Sequence, residues 1–172
     1  EDMIVFSSNR LTDTIGNQAD PFEKVANTFE LFTYNLSRRD NILTRLSEGD
    51  YVEKFSPSGT VKNKFTYIGD ADGIMNRYTA SFDSAISYID TTTHYRYFIN
   101  SVPVTDYDRN IINQSVANAS DTYGEVLFNK RRYMIRKGRM SDSGPLPKEE
   151  RKQTIFRKEK SILLHKADSV EQ

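Results

Sequence analysis

Residues 74–93 read IMNRYTASFDSAISYIDTTT, and the architecture predicted for the chain hangs on the period assigned to their apolar side chains. Ile74, Met75, Tyr78, Phe82, Ala85, Ile86 and Ile89 recur at intervals of three and four, the spacing of one face of an α-helix. Asp70 or Asp72 stands where a cap belongs, and Asp90 followed by the β-branched Thr91, Thr92 and Thr93 stands where such a helix would stop. The spacing predicts a helix here, with the strongest helical period in the chain.

The flanking segments are read the same way. Asp20-Pro21-Phe22-Glu23 has the form of a helix start, and Phe22, Val25, Ala26, Phe29, Phe32 and Leu36 follow at helical spacing, predicting a helix over 21–37. A second helix is expected from Asp40, with Ile42, Leu43 and Leu46 on one face and Gly49 as its stop, before a turn at Pro57-Ser58-Gly59. Asp106 is placed to cap another, carrying Tyr107, Ile111, Ile112 and Val116. Lys64–Ile68 and Val102-Pro103-Val104 read as extended. Val126–Phe128 and Tyr133–Ile135, split by Lys130-Arg131-Arg132, fit a hairpin or a helix equally. The expected fold is therefore mainly α: a compact bundle of about four helices with short extended connections and a basic C-terminal arm. Residues 1–139 form the helical body; residues 140–172 form a linker, opened by MSDSGPLPK, and a docking arm. In that arm Ile155, Phe156, Ile162 and Leu163 recur as pairs seven residues apart, a stripe suited to a helix that docks on something larger.

Composition narrows the function. Apolar residues make up 37% of the 172 and charged residues 28%, so the core is lean, and ten Tyr with ten Phe dominate its bulk. Tyrosine suits interfaces because an apolar ring carries a polar tip. The absence of cysteine excludes disulfides, thiolate catalysis and Cys-ligated metal centres. No apolar run is long enough for a membrane-spanning helix. The net charge of zero conceals an asymmetry: residues 1–125 hold 11 Lys and Arg against 18 Asp and Glu, whereas residues 126–166 hold 13 against 4. An acidic body thus carries a basic extension, which seeks an anionic surface.

Catalytic constellations are not found. His94 and His165 are the sole imidazoles, and Asp90, Thr91, Thr92 and Thr93 near His94 form no specific triad pattern. Asp70-Ala71-Asp72-Gly73 brings its glycine too early for a calcium loop and has Ser81 where the closing glutamate belongs. No glycine-rich phosphate loop is present. The chain is read as no enzyme, with no cofactor of its own. The segment KRRYMIRKGR, residues 130–139, sets an aromatic among cations, a pattern able to bind phosphates and stack a base.

Ser87-Tyr88-Ile89-Asp90, then Tyr95, Phe98, Val102-Pro103 and Arg109, resembles the end of a phycobilisome linker domain. In that family an amphipathic helix runs into a Ser-Tyr-Ile-Asp segment, then a tyrosine, a phenylalanine and a Val-Pro. Here Phe82 and Ile86 match the helix, while His94, Ile99 and Val104 depart from the pattern. The resemblance implies a chromophore-free linker or γ-subunit-like protein seated inside phycobiliprotein rings, on the stromal face of a plastid thylakoid. Its aromatics would lie near bilins bound by the partners.

The functional expectation is a non-catalytic scaffold that organises a larger protein assembly. Its partner contacts are assigned to Tyr95, Arg96, Tyr97, Phe98, Tyr107 and Arg109, to Lys130, Arg131, Arg132 and Arg136, and to the stripe Ile155, Phe156, Ile162 and Leu163. The alternatives are a helical sensor, a viral or phage assembly module, and a nucleic-acid-binding protein acting through residues 130–139.

Overall fold

In the computed structural model, residues 76–93 lie in a β-hairpin and not in a helix, and Ile74 and Met75 precede its first strand. The structure describes residues 3–15, 25–38, 41–47, 51–59, 63–142, 144–146 and 153–170. Among them are ten strands and one α-helix, so the expected mainly α, all-helical body is replaced by an all-antiparallel β body. The physical reason lies in the spacing itself. Ile74, Tyr78, Phe82 and Ile86 are four residues apart, and four is a multiple of the strand period of two as well as close to the helical 3.6. The residues between them settle the matter: Asn76, Thr79, Ser81, Asp83, Ser84 and Ser87 are poor helix formers, while Tyr, Thr, Phe and Ile favour the pleated surface of a sheet.

Three sheets follow one another along the chain, each a meander of sequential strands. The first holds β1 (Met3–Arg10), β2 (Val25–Asn35) and β3 (Thr44–Arg45) in that order. The second holds β4 (Lys54–Gly59), β5 (Lys64–Gly69), β6 (Asn76–Ile89) and β7 (Thr93–Pro103). The third holds β8 (Ile111–Ala117), β9 (Thr122–Asn129) and β10 (Arg132–Arg139), with β9 central.

The expected helix over 21–37 is the central strand β2 from Val25 on; its expected start, residues 20–24, lies outside the described residues, as do Asp40 and Gly49 of the second helix. Thr28 and Glu30 to Thr33 are all buried. A strand covered on both faces loses the alternation that would have revealed it. Where the second helix was expected, Leu43 and Leu46 are buried around the short β3. The fourth expected helix is β8, where a register irregularity between Ile111 and Asn113 sends Ile111 into the core and leaves Ile112 exposed. Pro57-Ser58-Gly59 is no turn but the end of β4, bulged between Phe55 and Ser58. Residues 126–135, open between helix and hairpin in sequence, are a hairpin closed by the two-residue turn Lys130-Arg131. The extended readings at Lys64–Ile68 and Val102-Pro103 agree with β5 and β7.

The core forms where the sheets meet. Leu31, Leu46, Phe65, Tyr67, Tyr78 and Ala80 make one buried cluster, flanked by Val5, Phe82 and Ile99. Ile68, Ile111 and Leu127 make a second, tying the third sheet to the second. Polar cross-links add to it: Gln114 Nε2 donates to the Ser56 carbonyl (2.9 Å) and Ile111 N–H to the Met75 carbonyl (2.8 Å).

The helix α1 (Ile155–Val170) appears in the arm as the sequence predicts, and it folds back on the body. Thr154 N–H donates to the Asp72 carbonyl (2.9 Å), Arg157 Nη1 to the Tyr51 carbonyl (2.5 Å), and Lys160 Nζ lies 3.4 Å from Glu53 and 3.5 Å from Asp70. The approach is so close at Gly73, whose φ is +92°, that a Cβ there would collide with the Thr154 hydroxyl and come within 2.8 Å of the Arg157 Cβ. Arg157 is buried, whereas Ile155, Phe156, Ile162 and Leu163 are exposed. The helix therefore docks through its cations and turns the apolar stripe outward.

Candidate functional site

The β6–β7 hairpin outgrows its sheet. The neighbouring strand β5 pairs with β6 only from Asn76 to Ser81, whereas β6 and β7 stay paired from Tyr78↔Pro103 out to Ile89↔Thr93. Beyond Phe82 the pair is a two-stranded ribbon with both edges open, reaching about 20 Å at the usual rise per residue. Every residue from Asp83 to Tyr97 is exposed except the half-buried His94.

Register separates the two faces of this arm. Phe82↔Ile99 and Ile86↔Tyr95 share a face with Tyr97, and Phe82 and Ile99 pack against the core. The core-facing side of the sheet thus continues past the body, and among the described residues its outer side chains are exposed: Ile86 is 57% exposed and Tyr95 54%. The opposite face carries Arg96 and Phe98, and a register shift between Ile86 and Tyr88 adds Tyr88 and His94, whose rings stack at 4.1 Å. At the tip His94 Nε2 lies 3.2 Å from Asp90, and Thr92 N–H donates to Asp90 (2.8 Å). That backbone donor, ahead of the imidazole, holds the Asp90 carboxyl below the usual aspartate range. His94 therefore closes a turn in this structure.

Of the residues assigned to partner contact, Tyr95, Arg96, Tyr97 and Phe98 lie on this arm, divided between its faces. The sequence reading missed Ile86, Tyr88 and Ile89 as exposed groups because it gave Ile86 and Ile89 to a helix core. The helix that the phycobilisome linker resemblance implies is here a strand, and the photosynthetic-antenna terms with the all-α architecture are withdrawn on that ground.

At the root of the arm is a cleft of about 410 Å³ lined by Met3, Thr33, Ile42, Leu46, Phe82 and Tyr97 among others. Ile42 and Met3 expose apolar surface there.

Tyr107 and Arg109 stand in the loop between β7 and β8, and Arg136 is brought to them from β10. The three line a second cleft of about 200 Å³ with Leu127, Asn129 and Met134. None of the three is a loose surface group. Arg109 binds Asp108 through Nε (2.8 Å) and Nη2 (2.7 Å) and also donates to Asn129, and Arg136 lies 5.1 Å from the Tyr107 ring. Tyr107 donates to Glu125 Oε1 (2.6 Å); burial, and then this bond, push its phenol up to about 12. Glu125 in turn faces Arg77 at 3.2 Å, both side chains wholly buried, and the Arg77 guanidinium lies 3.4 Å above the Tyr123 ring. No sequence signal announced this pair, since Arg77 fell among the polar positions of an expected helix.

Lys130, Arg131 and Arg132 are exposed at the β9–β10 turn. The stripe Ile155, Phe156, Ile162 and Leu163 lies apart from these groups in sequence and in element, on the outer side of α1. Among the described residues no group of three or more acidic or imidazole side chains is placed to hold a metal ion, and no helix is long and apolar enough to cross a membrane. No protein-family model, curated protein or solved structure matches the chain.

Proposed function

We propose that this chain is a structural subunit of a larger protein assembly, gripping neighbouring copies of itself with the β6–β7 arm. The observation that carries the reading is the exposed continuation of the core face along Ile86 and Tyr95, on a ribbon that β5 no longer pairs. An isolated two-stranded ribbon is marginal in water, and a long apolar edge invites pairing unless something covers it. The cleft at the arm's root offers a receptor of mixed lining, with Ile42 and Met3 exposing apolar surface beside the polar Asn35, Arg38 and Asn63. Donor and receptor on one chain make a head-to-tail contact, which closes into rings or runs on as filaments.

Complementation tests it. Chains carrying I86K and Y95K lose the arm; chains carrying I42K lose the receptor; all three positions are exposed, so folding is spared. By sedimentation velocity the parent associates as concentration rises, each variant alone stays monomeric, and a mixture of the two stops at a dimer. A parent that stays monomeric at every concentration, or an arm variant that associates like the parent, removes the reading.

A further inference from the structure

A different surface, independent of the arm, is left unused by that reading. The outward face of the third sheet carries Val126, Phe128, Tyr133, Ile135, Lys137 and Arg139 by register, with Ile112 exposed beside them. Tyr133 is 73% exposed, and its ring lies 5.1 Å from that of Phe128. A shallow cleft of about 610 Å³ runs along these two rings, with Ile74, Ile112, Asn110 and the ion pair of Asp108 with Arg109 on its other walls. From Val126 to Arg139 the chain has six Lys and Arg and no carboxylate, and Glu125 is turned to the opposite, buried side. The turn itself is informative. Lys130 and Arg131 have φ of 46° and 64°, the conformation that two-residue hairpin turns normally fill with Asn-Gly. A conformationally costly pair of cations therefore occupies the tip of the hairpin. Charge on β10 alone would fit protection of an open sheet edge, but Lys130 and Arg131 lie in the turn, beyond the paired strand.

We infer that this face binds single-stranded nucleic acid, Lys130, Arg131, Lys137 and Arg139 meeting phosphates while bases stack on Tyr133 and Phe128. The exposed ring pair distinguishes this occupant from an acidic protein, which needs the charge but no stacking platform.

The test uses the full chain and a fluorescent oligouridylate of about a dozen nucleotides, read by anisotropy across a salt series. Binding is expected to weaken steeply with salt. The variant K130N/R131G is expected to bind about tenfold less tightly at low salt, to lower the salt slope by about 1.4, and to melt at a higher temperature than the parent. Y133L, which leaves the charge intact, is expected to lose at least fivefold in affinity. Three results would overturn the inference: no binding by the parent at low salt, unchanged affinity in K130N/R131G, or polyglutamate of equal charge competing as well as oligouridylate with Y133L unaltered. The last assigns the face to an acidic protein instead.

Discussion

Arg77 and Glu125 are the residues on which the third sheet depends. Both are stripped of solvent, and their mutual attraction, with the Tyr123 ring and the Tyr107 hydroxyl, is what makes the burial tolerable. Removing one partner strands the other as an uncompensated charge. Glu125→Ala is expected to lose about 3–5 kcal/mol in urea unfolding, while the double replacement Arg77→Met with Glu125→Leu recovers most of that. Tyr107 gives the pair a pH signature. Its folded-state value of about 12 stands above the ordinary 10.0, so its contribution is complete below about pH 10 and is lost as pH rises toward 12, when an unfolded tyrosine would ionise and the folded one resists. Phenolate absorbance during alkaline titration should show a late-ionising fraction, and Tyr107→Phe should reduce that fraction by one tyrosine. None of this was legible beforehand. An arginine and a glutamate 48 positions apart in sequence carry no local mark of being partners.

Elements differed in how openly they declared themselves. The helix α1 was visible because a surface helix is a local object, its stripe spaced at seven and its propensity favourable. Its mode of docking was not visible, since the stripe faces solvent and Arg157 and Lys160 make the contact. Arg157→Ala is expected to release the helix at a cost of about 2 kcal/mol. Hydrogen exchange along 155–170 should quicken while exchange in the core strands holds. The hairpin at 126–135 was half legible: two apolar triplets around three cations fit it, but equally fit a helix. The strand β6 misled because Tyr78, Phe82 and Ile86 fall four apart, and β2 because burial on both faces erased alternation.

For the whole molecule, three meanders share their cores, one hairpin leaves the body, and a basic hairpin and helix line other parts of its surface. The arm contributes nothing to the core beyond Phe82 and Ile99. The I86K/Y95K chain that fails to associate should therefore melt, as a monomer, at the temperature of the monomeric parent. On the proposed reading stability and assembly are separable, because the apolar surface assigned to one lies beyond the surface serving the other.

Composition and short windows were enough for the inventory: no thiol chemistry, a lean core rich in rings, a cationic stretch after residue 125 and a tail able to form a helix. These are properties of composition and of short windows, where chemistry acts without distant partners. The tertiary structure alone settled strand against helix at residues 76–89, the burial of Arg77 with Glu125, and which aromatics are left exposed. A strand exists only through hydrogen bonds to chain segments elsewhere. A side-chain spacing of four satisfies both periods until those segments arrive to choose between them.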